Sequence, residues 1–376
     1  MSIAPTSLAP RLLIAGGGTG GHLFPGVAIA EELRAQEPTA SVQFVGTARG
    51  IEARVLPELG WDLQLIEVSG LKTVGLWGAL LGLVRLPRAA WQARRLLKRF
   101  APTAVIGVGG YASGPVVLMA RLAGIPTAIC EQNSIPGFTN KLLGKLVRKV
   151  FLSFEESRRF FAGDKVVMSG NPVRRQLAAA LEAAAAQPKG PPSATEPLCV
   201  LVSGGSLGAV AVNKLAAEAL IELSRRRPLR IVHQTGTTGY DDTVARYRAA
   251  DVAAECSAFI KDMASVYRQA DLIIARAGAT TVAELAIAGK PAIFIPYPFA
   301  ADNHQEINAK EMAEAGAALM FRQADLTADK LQAAVEPLLE DGERRAKMGA
   351  VMRSLARPKA AATVVDWCVG QGRDAG

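Results

Sequence analysis

GGGTGGHLFPG, residues 16 to 26, follows the apolar run Leu12 to Ala15 and precedes the apolar positions of a helical segment. Glycines between a strand and a helix let main-chain N–H groups approach a phosphate or a sugar, where the helix dipole favours negative charge. We expect Pro25 to open the helix, because proline suits the first helical position. The stretch therefore predicts an α/β fold with a ligand-binding loop after its first strand.

The same strand, glycine loop and helix unit occurs a second time. After a Pro-, Gly- and Ser-containing run at 178–197, an apolar strand at 199–202 leads into SGGSLGA at 203–209 and a helix at 212–223. Strands alternating with helices are typical of parallel sheets. We predict two Rossmann-like domains whose sheets face across a cleft between their glycine loops. The other predicted strands are 42–45, 104–108, 127–130, 231–233, 272–275 and 292–295.

A dinucleotide site is the first alternative, because Gly16, Gly18 and Gly21 satisfy the G-x-G-x-x-G spacing. That site requires an acidic residue at the end of the second strand to hold the ribose. Here the second strand runs into Gly46-Thr47, and the nearest acid is Glu52. NAD and FAD are therefore disfavoured, and no cofactor is predicted.

Composition limits the class of partner. A net charge of +9 combined with a mean hydropathy of +0.20 points to an anionic substrate or an anionic membrane surface. Nucleic acid is not expected, since aromatic residues make up 6% of the chain and no zinc-finger or RNP pattern occurs. The four cysteines are scattered singly, and we expect reduced thiols in the cytosol. The N-terminal residues carry no signal-peptide pattern, so export is not predicted.

Residues 70–100, GLKTVGLWGALLGLVRLPRAAWQARRLLKRF, combine an apolar core at 74–84 with a basic end. The core is too short for the roughly 20 residues that span a bilayer. Apolar residues followed by Arg and Lys suit a segment lying in the interface over anionic lipids. A buried core helix with a solvated basic end fits the same periodicity, and the two interpretations are left open by the pattern alone.

Two stretches carry candidate chemistry. His22 follows the first glycine loop directly, and an imidazole that titrates near neutral pH suits a general base. His233 is interpreted as structural, and His304 is not assigned. In ARAGATTVAELAIAGKPAIFIPYP, 275–298, a strand ends in glycine and we expect a helix with Glu284 in its first turn. That loop is predicted to receive a pyrophosphate, with Glu284 accepting from a ribose diol.

Seven motifs, GGGTGGHLFPG, GVGGYASGP, EQNSIPGFTN, SGNPVR, SGGSLGA, ARAGATTVAEL and PYPFAADNHQEINA, occur in an order and spacing that resemble the MurG family of peptidoglycan glycosyltransferases. The resemblance covers about residues 11–360. It implies the GT-B fold and transfer of N-acetylglucosamine from UDP-GlcNAc to undecaprenyl-linked lipid I, giving lipid II, without a metal. It also implies peripheral attachment to the cytoplasmic face of the cell membrane and contact with other cell-wall synthesis proteins.

The resemblance further implies a division of labour between the domains. Residues 1–168, with a last helix at about 358–376, would bind the lipid acceptor, and residues 169–357 would bind UDP-GlcNAc. By motif, the first domain would contact the transferred sugar or diphosphate, and the second would contact the nucleotide and the sugar hydroxyls. The residues implied are Thr19, Gly20 and Gly21 (sugar or diphosphate), Asn133 (transferred sugar), Arg174 (nucleotide side), Ser206 (phosphate), Ile260 (uracil, by its main chain), Ala279, Thr280, Thr281, Val282, Ala283 and Glu284 (diphosphate and ribose), and Gln305 (GlcNAc hydroxyls), with Asn308 nearby.

We hypothesise an inverting single displacement with His22 as the base, because His22 lies at the mouth of the first glycine loop. One position departs from the family pattern, because Cys130 stands where the family often has histidine. Two other functions remain as alternatives. One is a UDP-GlcNAc 2-epimerase of the same architecture, and the other is a non-catalytic UDP-sugar sensor.

Overall fold

The computed structural model describes residues 9–68, 76–186, 196–205 and 208–373, with the side chains of 76–86 and 372–373 outside the description. The chain forms two compact units. Unit one runs to Arg175 and resumes at Lys359, and unit two is Gln176–Pro358. Each unit contains one parallel sheet.

Unit one is built on a seven-stranded parallel sheet with the order β3-β2-β1-β4-β5-β6-β7. Its central strands are buried on both faces, as expected for a sheet covered by helices. The pairing register between β1 and β4 shifts at the end of β1, which brings Gly16 level with Gly109. The strands are β1 Arg11–Gly16, β2 Ser41–Gly46, β3 Leu63–Leu65, β4 Ala104–Gly109, β5 Thr127–Glu131, β6 Lys149–Leu152 and β7 Val166–Met168.

The helices of unit one cover both faces of this sheet. The C-terminal helix α14 packs against α1, and its Val364, Val365 and Cys368 join the core cluster that contains β1 and β4. The unit-one helices are α1 Gly20–Gln36, α2 Glu52–Glu58, α3 Leu76–Phe100, α4 Ser113–Leu122, α5 Phe138–Leu143 and α14 Ala360–Arg373, with 3-10 turns at Glu155–Phe160 and Gly163–Lys165. Helix α6, Arg175–Ala186, begins at the last residue of this part of unit one and otherwise belongs to unit two.

Unit two is built on a six-stranded parallel sheet with the order β10-β9-β8-β11-β12-β13. Ser203 at the end of β8 pairs with Ala275 at the end of β11, so the loops after these strands begin at the same level. The strands are β8 Leu198–Ser203, β9 Leu229–Gln234, β10 Ala254–Ser257, β11 Leu272–Ala275, β12 Ala292–Phe294 and β13 Ala318–Met320. The helices are α7 Val210–Ser224, α8 Tyr240–Ala249, α9 Met263–Gln269, α10 Ala279–Ala288, α11 His304–Glu314, α12 Ala328–Glu340 and α13 Gly342–Ser354, with 3-10 turns at Ala301–Asn303 and Gln323–Asp325.

Two predicted helix starts are wrong. Helix α1 begins at Gly20 rather than at Pro25, because extended Thr19 accepts the Leu23 N–H at 3.0 Å and thereby starts the helical bonding early. Pro25 is buried inside the helix and removes the main-chain bond that would reach the Gly21 carbonyl. Helix α10 begins at Ala279, which places Glu284 in the second turn rather than in the first.

Candidate active site

The first glycine loop lies over a buried carboxylate. Glu52, the first residue of α2, is 1% exposed. It accepts hydrogen bonds from the Gly18 N–H at 2.7 Å, the Thr47 N–H at 2.9 Å and the Thr47 hydroxyl at 3.0 Å. These bonds join the loop after β1 to the end of β2.

Glycine is required around this carboxylate by close approach. A Cβ at Gly17, Gly46 or Gly50 would overlap Glu52. The Gly17 N–H donates to the Gly109 carbonyl at 3.2 Å, so the N–H groups of residues 17 and 18 are both engaged within the protein. A ligand would meet this loop at Thr19, Gly20 and Gly21, which lie at exposed or half-exposed positions.

His22 lies in the first turn of α1 and is half-buried. Its Nδ1 is 3.3 Å from the Gly17 carbonyl oxygen and 3.4 Å from Thr19 Oγ1. Since a carbonyl oxygen only accepts, the hydrogen bond to Gly17 assigns the proton of the neutral ring to Nδ1 and leaves Nε2 unprotonated. This is the tautomer that a general base acting through Nε2 requires.

The end of β4 fixes the other side of the imidazole. Gly109 has φ +94°, and a Cβ there would lie 2.7 Å from Cδ2 and 2.9 Å from Nε2 of His22. The Ser113 hydroxyl donates to the Ala15 carbonyl at 2.6 Å and accepts the Gly109 N–H at 3.1 Å. The ends of β1 and β4 are thereby tied together beneath His22.

A second buried carboxylate organises the EQN loop. Glu131, at the end of β5, accepts from the Asn133 N–H at 3.0 Å, the Gly137 N–H at 3.2 Å and the Asn140 amide at 2.8 Å. Burial raises the pKa of the Glu131 carboxyl to about 7, and these hydrogen bonds oppose the rise. The loop holds Asn133 half-buried at the carboxyl end of the sheet.

Cys130, beside this loop, packs in the core. Burial raises the pKa of the Cys130 thiol to about 12, and the neighbouring Glu131 charge adds to the rise. A thiol in this environment stays protonated and acts as a small apolar side chain.

Arg174 belongs to unit one, although the sequence-based boundary at 168/169 assigns it to the second domain. Its exposed guanidinium lies 5.7 Å from the Phe24 ring centroid, and a Cβ at Gly20 would lie 3.3 Å from that ring. Arg174 therefore supplies a positive charge next to the first turn of α1.

In unit two, uncharged groups fix the glycine loop after β8. The Gly205 N–H donates to Ser203 Oγ at 3.4 Å, and the Gly208 N–H donates to the Gly205 carbonyl at 3.0 Å. Gln234 bridges this loop to a neighbouring one, because its amide donates to the Gly205 carbonyl at 3.1 Å and accepts the Ile260 N–H at 3.2 Å. Ser206, predicted to bind phosphate, lies outside the described residues.

Helix α10 presents its N-terminus at the carboxyl end of β11. Among its first six residues, Ala279 and Val282 are buried, whereas Thr280, Thr281, Ala283 and Glu284 are half-buried, and the first turn contains no acid. The buried Tyr267 hydroxyl donates to Glu284 Oε2 at 2.9 Å. Burial, together with the Glu284 charge, raises the pKa of Tyr267 well above its ordinary value, so the phenol remains a donor.

The loop after β12 is held by buried Arg276. Its guanidinium donates to the carbonyls of Ile295 at 2.9 Å and Pro296 at 2.7 Å. Gln305 Oε1 accepts the Tyr297 N–H at 3.0 Å, which orients this side chain by its oxygen. Asn308 is buried and donates to the Ala277 carbonyl at 3.1 Å, so its amide positions the loop before α10.

The other histidines differ from His22. His233 is fully buried between Tyr247 and Asn213, and burial lowers its pKa to about 3, in agreement with a structural role. His304 is half-buried, with Nδ1 2.7 Å from the Ala301 carbonyl oxygen.

Across the described ranges, no group of three or more His, Cys, Asp or Glu side chains is placed to bind a metal ion. No helix within the described part of the chain is long and apolar enough to cross a membrane.

Sequence reasoning missed three residues that shape the site. The sequence identifies Glu52 only as an acid in the wrong place for a ribose, and no pattern indicates Gln234. Glu131 belongs to the EQN motif, but the motif predicts no role for it. Their positions could have indicated them, because Glu131 and Gln234 end parallel strands and Glu52 closely follows one. All three therefore lie at the carboxyl ends of strands, where ligands bind in parallel α/β sheets.

Residues 12–152 match the glycosyltransferase family 28 N-terminal domain, and residues 199–364 match the corresponding C-terminal domain. Each match covers most of one parallel sheet, which defines a two-domain glycosyltransferase with the GT-B fold. A UDP-N-acetylglucosamine--N-acetylmuramyl-(pentapeptide) pyrophosphoryl-undecaprenol N-acetylglucosamine transferase from Myxococcus xanthus (strain DK1622) is 49% identical over 360 residues, covering 96% of this chain and 92% of that protein. The chain therefore belongs to the MurG family.

Solved structures agree with this assignment. The crystal structure of Acinetobacter baumannii MurG is 34% identical, with a TM-score of 0.79 and coverage of 95% of this chain and 98% of that one. A UDP-GlcNAc 2-epimerase from Neisseria meningitidis, bound to UDP-GlcNAc, has a TM-score of 0.64 at 14% identity, covering 95% and 98% of the two chains. At that identity the epimerase shares the fold alone.

Proposed function

We propose that this chain is a metal-independent, inverting N-acetylglucosaminyltransferase. It transfers N-acetylglucosamine from UDP-GlcNAc to the 4-hydroxyl of the muramyl sugar of undecaprenyl-diphospho-MurNAc-pentapeptide, lipid I, giving lipid II and UDP. The observation that carries this function is 49% identity, over 96% of the chain, to a transferase named for UDP-N-acetylglucosamine as donor and N-acetylmuramyl-(pentapeptide) pyrophosphoryl-undecaprenol as acceptor. The epimerase and sensor alternatives are weaker, because the likeness to an epimerase is one of fold only.

The proposed chemistry is a single displacement. His22 Nε2 takes the proton of the muramyl 4-hydroxyl as its oxygen attacks C1 of GlcNAc. The bond between C1 and the diphosphate oxygen breaks, and UDP leaves with the electron pair, so the configuration at C1 inverts. A positioned base of this kind contributes about 10²–10⁴-fold to the rate.

In this proposal, unit two binds the donor. The N-terminus of α10 receives the diphosphate through main-chain N–H groups, and the Glu284 carboxylate accepts from the ribose. Gln305 donates to the GlcNAc hydroxyls through its amide nitrogen, because its oxygen already accepts the Tyr297 N–H. The full donor set is Ser206 for phosphate, Ile260 for uracil, Ala279, Thr280, Thr281, Val282, Ala283 and Glu284 for diphosphate and ribose, and Gln305 for the sugar.

In this proposal, unit one binds the acceptor that supplies the reacting hydroxyl, and it also contacts the transferred sugar. Thr19, Gly20 and Gly21 lie at the exposed start of α1, where their main-chain groups can meet a sugar or phosphate. Asn133 binds the transferred sugar from the loop that Glu131 holds. Arg174 supplies a cation for the nucleotide side.

We propose that residues 70–100 dock the protein on the anionic cytoplasmic face of the membrane, where the lipid acceptor and other cell-wall synthesis proteins are located. In the described half of α3, Ala89, Ala93 and Leu97 are buried on one face, while Trp91 is 60% exposed. The neighbouring α4 exposes Leu122 at 71%. A groove of about 450 Å³ between them mixes apolar and basic side chains, namely Arg94, Leu97, Lys98, Met119, Leu122, Ala123 and Ile125. This combination suits an interface with anionic lipids.

The docking proposal is tested by co-sedimentation with phosphatidylglycerol-containing vesicles. Leu80→Glu combined with Leu81→Glu should release the protein, because two charges would have to enter the apolar interface. Leu59→Glu, at an exposed leucine outside the segment, is the matched control and should sediment as the wild type does. Unchanged sedimentation of the double variant would favour the core-helix interpretation of 74–84.

The transferase proposal is tested by measuring UDP release from UDP-GlcNAc in EDTA, with and without a polyprenyl-diphospho-muramyl-peptide acceptor. Acceptor-dependent release with formation of the disaccharide is expected. Release of UDP together with the 2-epimer, without acceptor, would establish the epimerase instead. Binding of UDP-GlcNAc with no turnover under either condition would favour the sensor.

A further inference from the structure

We infer that Glu52 is a positioning residue for the transfer reaction, because its buried carboxylate fixes the loop that sets the orientation of His22. The inference rests on the proposed role of His22. It assigns a function to a side chain that touches no substrate in that proposal and that is nevertheless almost completely removed from solvent.

The two carboxylate oxygens divide their partners. Oε1 accepts both groups of Thr47, at 2.9 and 3.0 Å, and is thereby anchored to the end of β2. Oε2 accepts the Gly18 N–H at 2.7 Å, which is the shortest of the three bonds. Glu52 therefore connects the end of β2 to an exposed residue of the glycine loop.

Gly18 lies between the two residues that orient the imidazole. The preceding carbonyl, that of Gly17, bonds His22 Nδ1, and the following residue, Thr19, carries both a hydroxyl near Nδ1 and the carbonyl that starts α1. Displacing Gly18 would move both partners at once. Gly17, Gly46 and Gly50 pack so closely against the carboxylate that a Cβ at any of them would overlap it.

All three groups that face the carboxylate are donors, which makes amide replacement informative. Glu52→Gln keeps the size, but one acceptor oxygen becomes an NH₂ group. With the amide oxygen retained at Thr47, the NH₂ group would face the Gly18 N–H, donor against donor. The variant should therefore release the loop while leaving the connection to β2 in place.

The kinetic test uses the full-length protein with both substrates at saturation. Glu52→Gln should lower kcat about 10- to 100-fold, since a misplacement near 1 Å has this effect on a catalytic group. The Kd for UDP-GlcNAc should change less than about threefold, because most of the proposed donor contacts are in unit two. Thr47→Val is the matched control: it removes one donor from the same carboxylate but spares the Gly18 bond, so kcat should stay within about threefold. Wild-type kcat in Glu52→Gln, or equal losses in both variants, would overturn the inference.

A second measurement does not depend on turnover. The chain has three histidines, so histidine-selective ¹³C labelling gives three ring signals, and only His22 lies in unit one. Glu52→Gln should shift the His22 signal and leave those of His233 and His304 in place. If Glu52→Gln does not fold, Glu52→Asp provides the same readout with a retracted carboxylate. A shifted His22 signal in a protein without transferase activity would refute the proposed function but support the positioning role, whereas an unmoved signal in an active enzyme would overturn the positioning role.

Discussion

The ligand loops of the two units are held in opposite ways. In unit one, the buried carboxylates of Glu52 and Glu131 lie beneath the loops and accept their main-chain N–H groups. In unit two, the glycine loop is held by Ser203 and by the Gln234 amide. The carboxylate of Glu284 is half-buried in the second turn of α10 and is held by a tyrosine.

This difference indicates which unit binds the leaving group and which binds the attacking group. A diphosphate is attracted to a helix N-terminus without an acid in its first turn, as in α10. In unit one, the carboxyl groups of Glu52 and Glu131 occupy main-chain N–H donors that a diphosphate would use. We therefore place the leaving diphosphate on unit two, and the neutral attacking hydroxyl and its base on unit one.

His22→Ala is expected to have the largest effect on the role assigned to unit one. We expect kcat to fall about 10²–10⁴-fold, because the base that accepts the hydroxyl proton is removed. The Kd for UDP-GlcNAc, measured by calorimetry, should stay within about threefold of the wild-type value. Added imidazole should restore part of the rate by entering the vacated space. Turnover close to wild type would transfer the role of base to another group.

The second prediction concerns the stability cost of a buried carboxylate in unit one. The folded pKa of Glu131, about 7, lies above its ordinary value of 4.5. Below pH 4.5 both states hold the proton and the residue has no cost. Between pH 4.5 and about 7 the unfolded chain releases the proton while the folded chain keeps it, so the free energy of unfolding falls as pH rises. The loss should level off above pH 7 at about 3 kcal/mol.

This cost can be measured in unit one alone, because all four tryptophans, Trp61, Trp77, Trp91 and Trp367, belong to it. Urea unfolding followed by tryptophan fluorescence at pH 5 and pH 8 should show the decline in the wild type and a flatter profile in Glu131→Gln. Glu58→Gln, at an exposed carboxylate on α2, should retain the wild-type profile. Parallel profiles for all three proteins would contradict the assignment of the cost to Glu131.

The sequence predicted the strands correctly where each was a single apolar run with a clear end. Strands β1, β4, β8 and β11 are apolar runs that end at glycine or at a polar loop, and their predicted bounds agree within one residue. The missed strands β3, β6, β7, β10 and β13 have three or four residues each and lie at or next to sheet edges, where a short run has no usable periodicity.

The sequence motifs indicated which segments form the site, but they did not indicate which residues contact one another there. The start of α1 was placed at Pro25 because proline is a general helix-start signal, whereas the extended Thr19 that starts the helix can be identified only from its backbone conformation. The bond between Glu52 and Gly18 joins residues 34 positions apart. It arises because β1 and β2 are neighbours in the sheet, and no local pattern encodes it.

A third prediction tests how tightly unit one holds its base. Gly109→Ala adds a methyl group 2.7 Å from the His22 ring, and should lower kcat on the order of 10- to 100-fold by displacing the imidazole. Gly124→Ala is the matched control, because Gly124 has a similar φ of +78° but nothing within 4 Å of its added Cβ. Both variants share the backbone strain, so the difference in kcat between them measures contact with His22. Equal kcat values would show that the imidazole is free to move.

The smallest effect is expected in unit two, where the proposed role of Glu284 in binding the nucleotide can be tested. Tyr267→Phe removes the hydroxyl that holds Glu284 Oε2, and should raise the KM for UDP-GlcNAc about 3- to 10-fold with little change in kcat. Discrimination against the 2′-deoxyribose donor should weaken in parallel, because a carboxylate that is no longer oriented reads the ribose diol less well. Tyr247→Phe removes the hydroxyl of another buried tyrosine of the same unit, bonded to His233, and should leave KM and discrimination unchanged. If Tyr267→Phe lowered kcat and spared KM, Glu284 would act on the reacting centre instead of the nucleotide, and the separation of roles between the two units would fail.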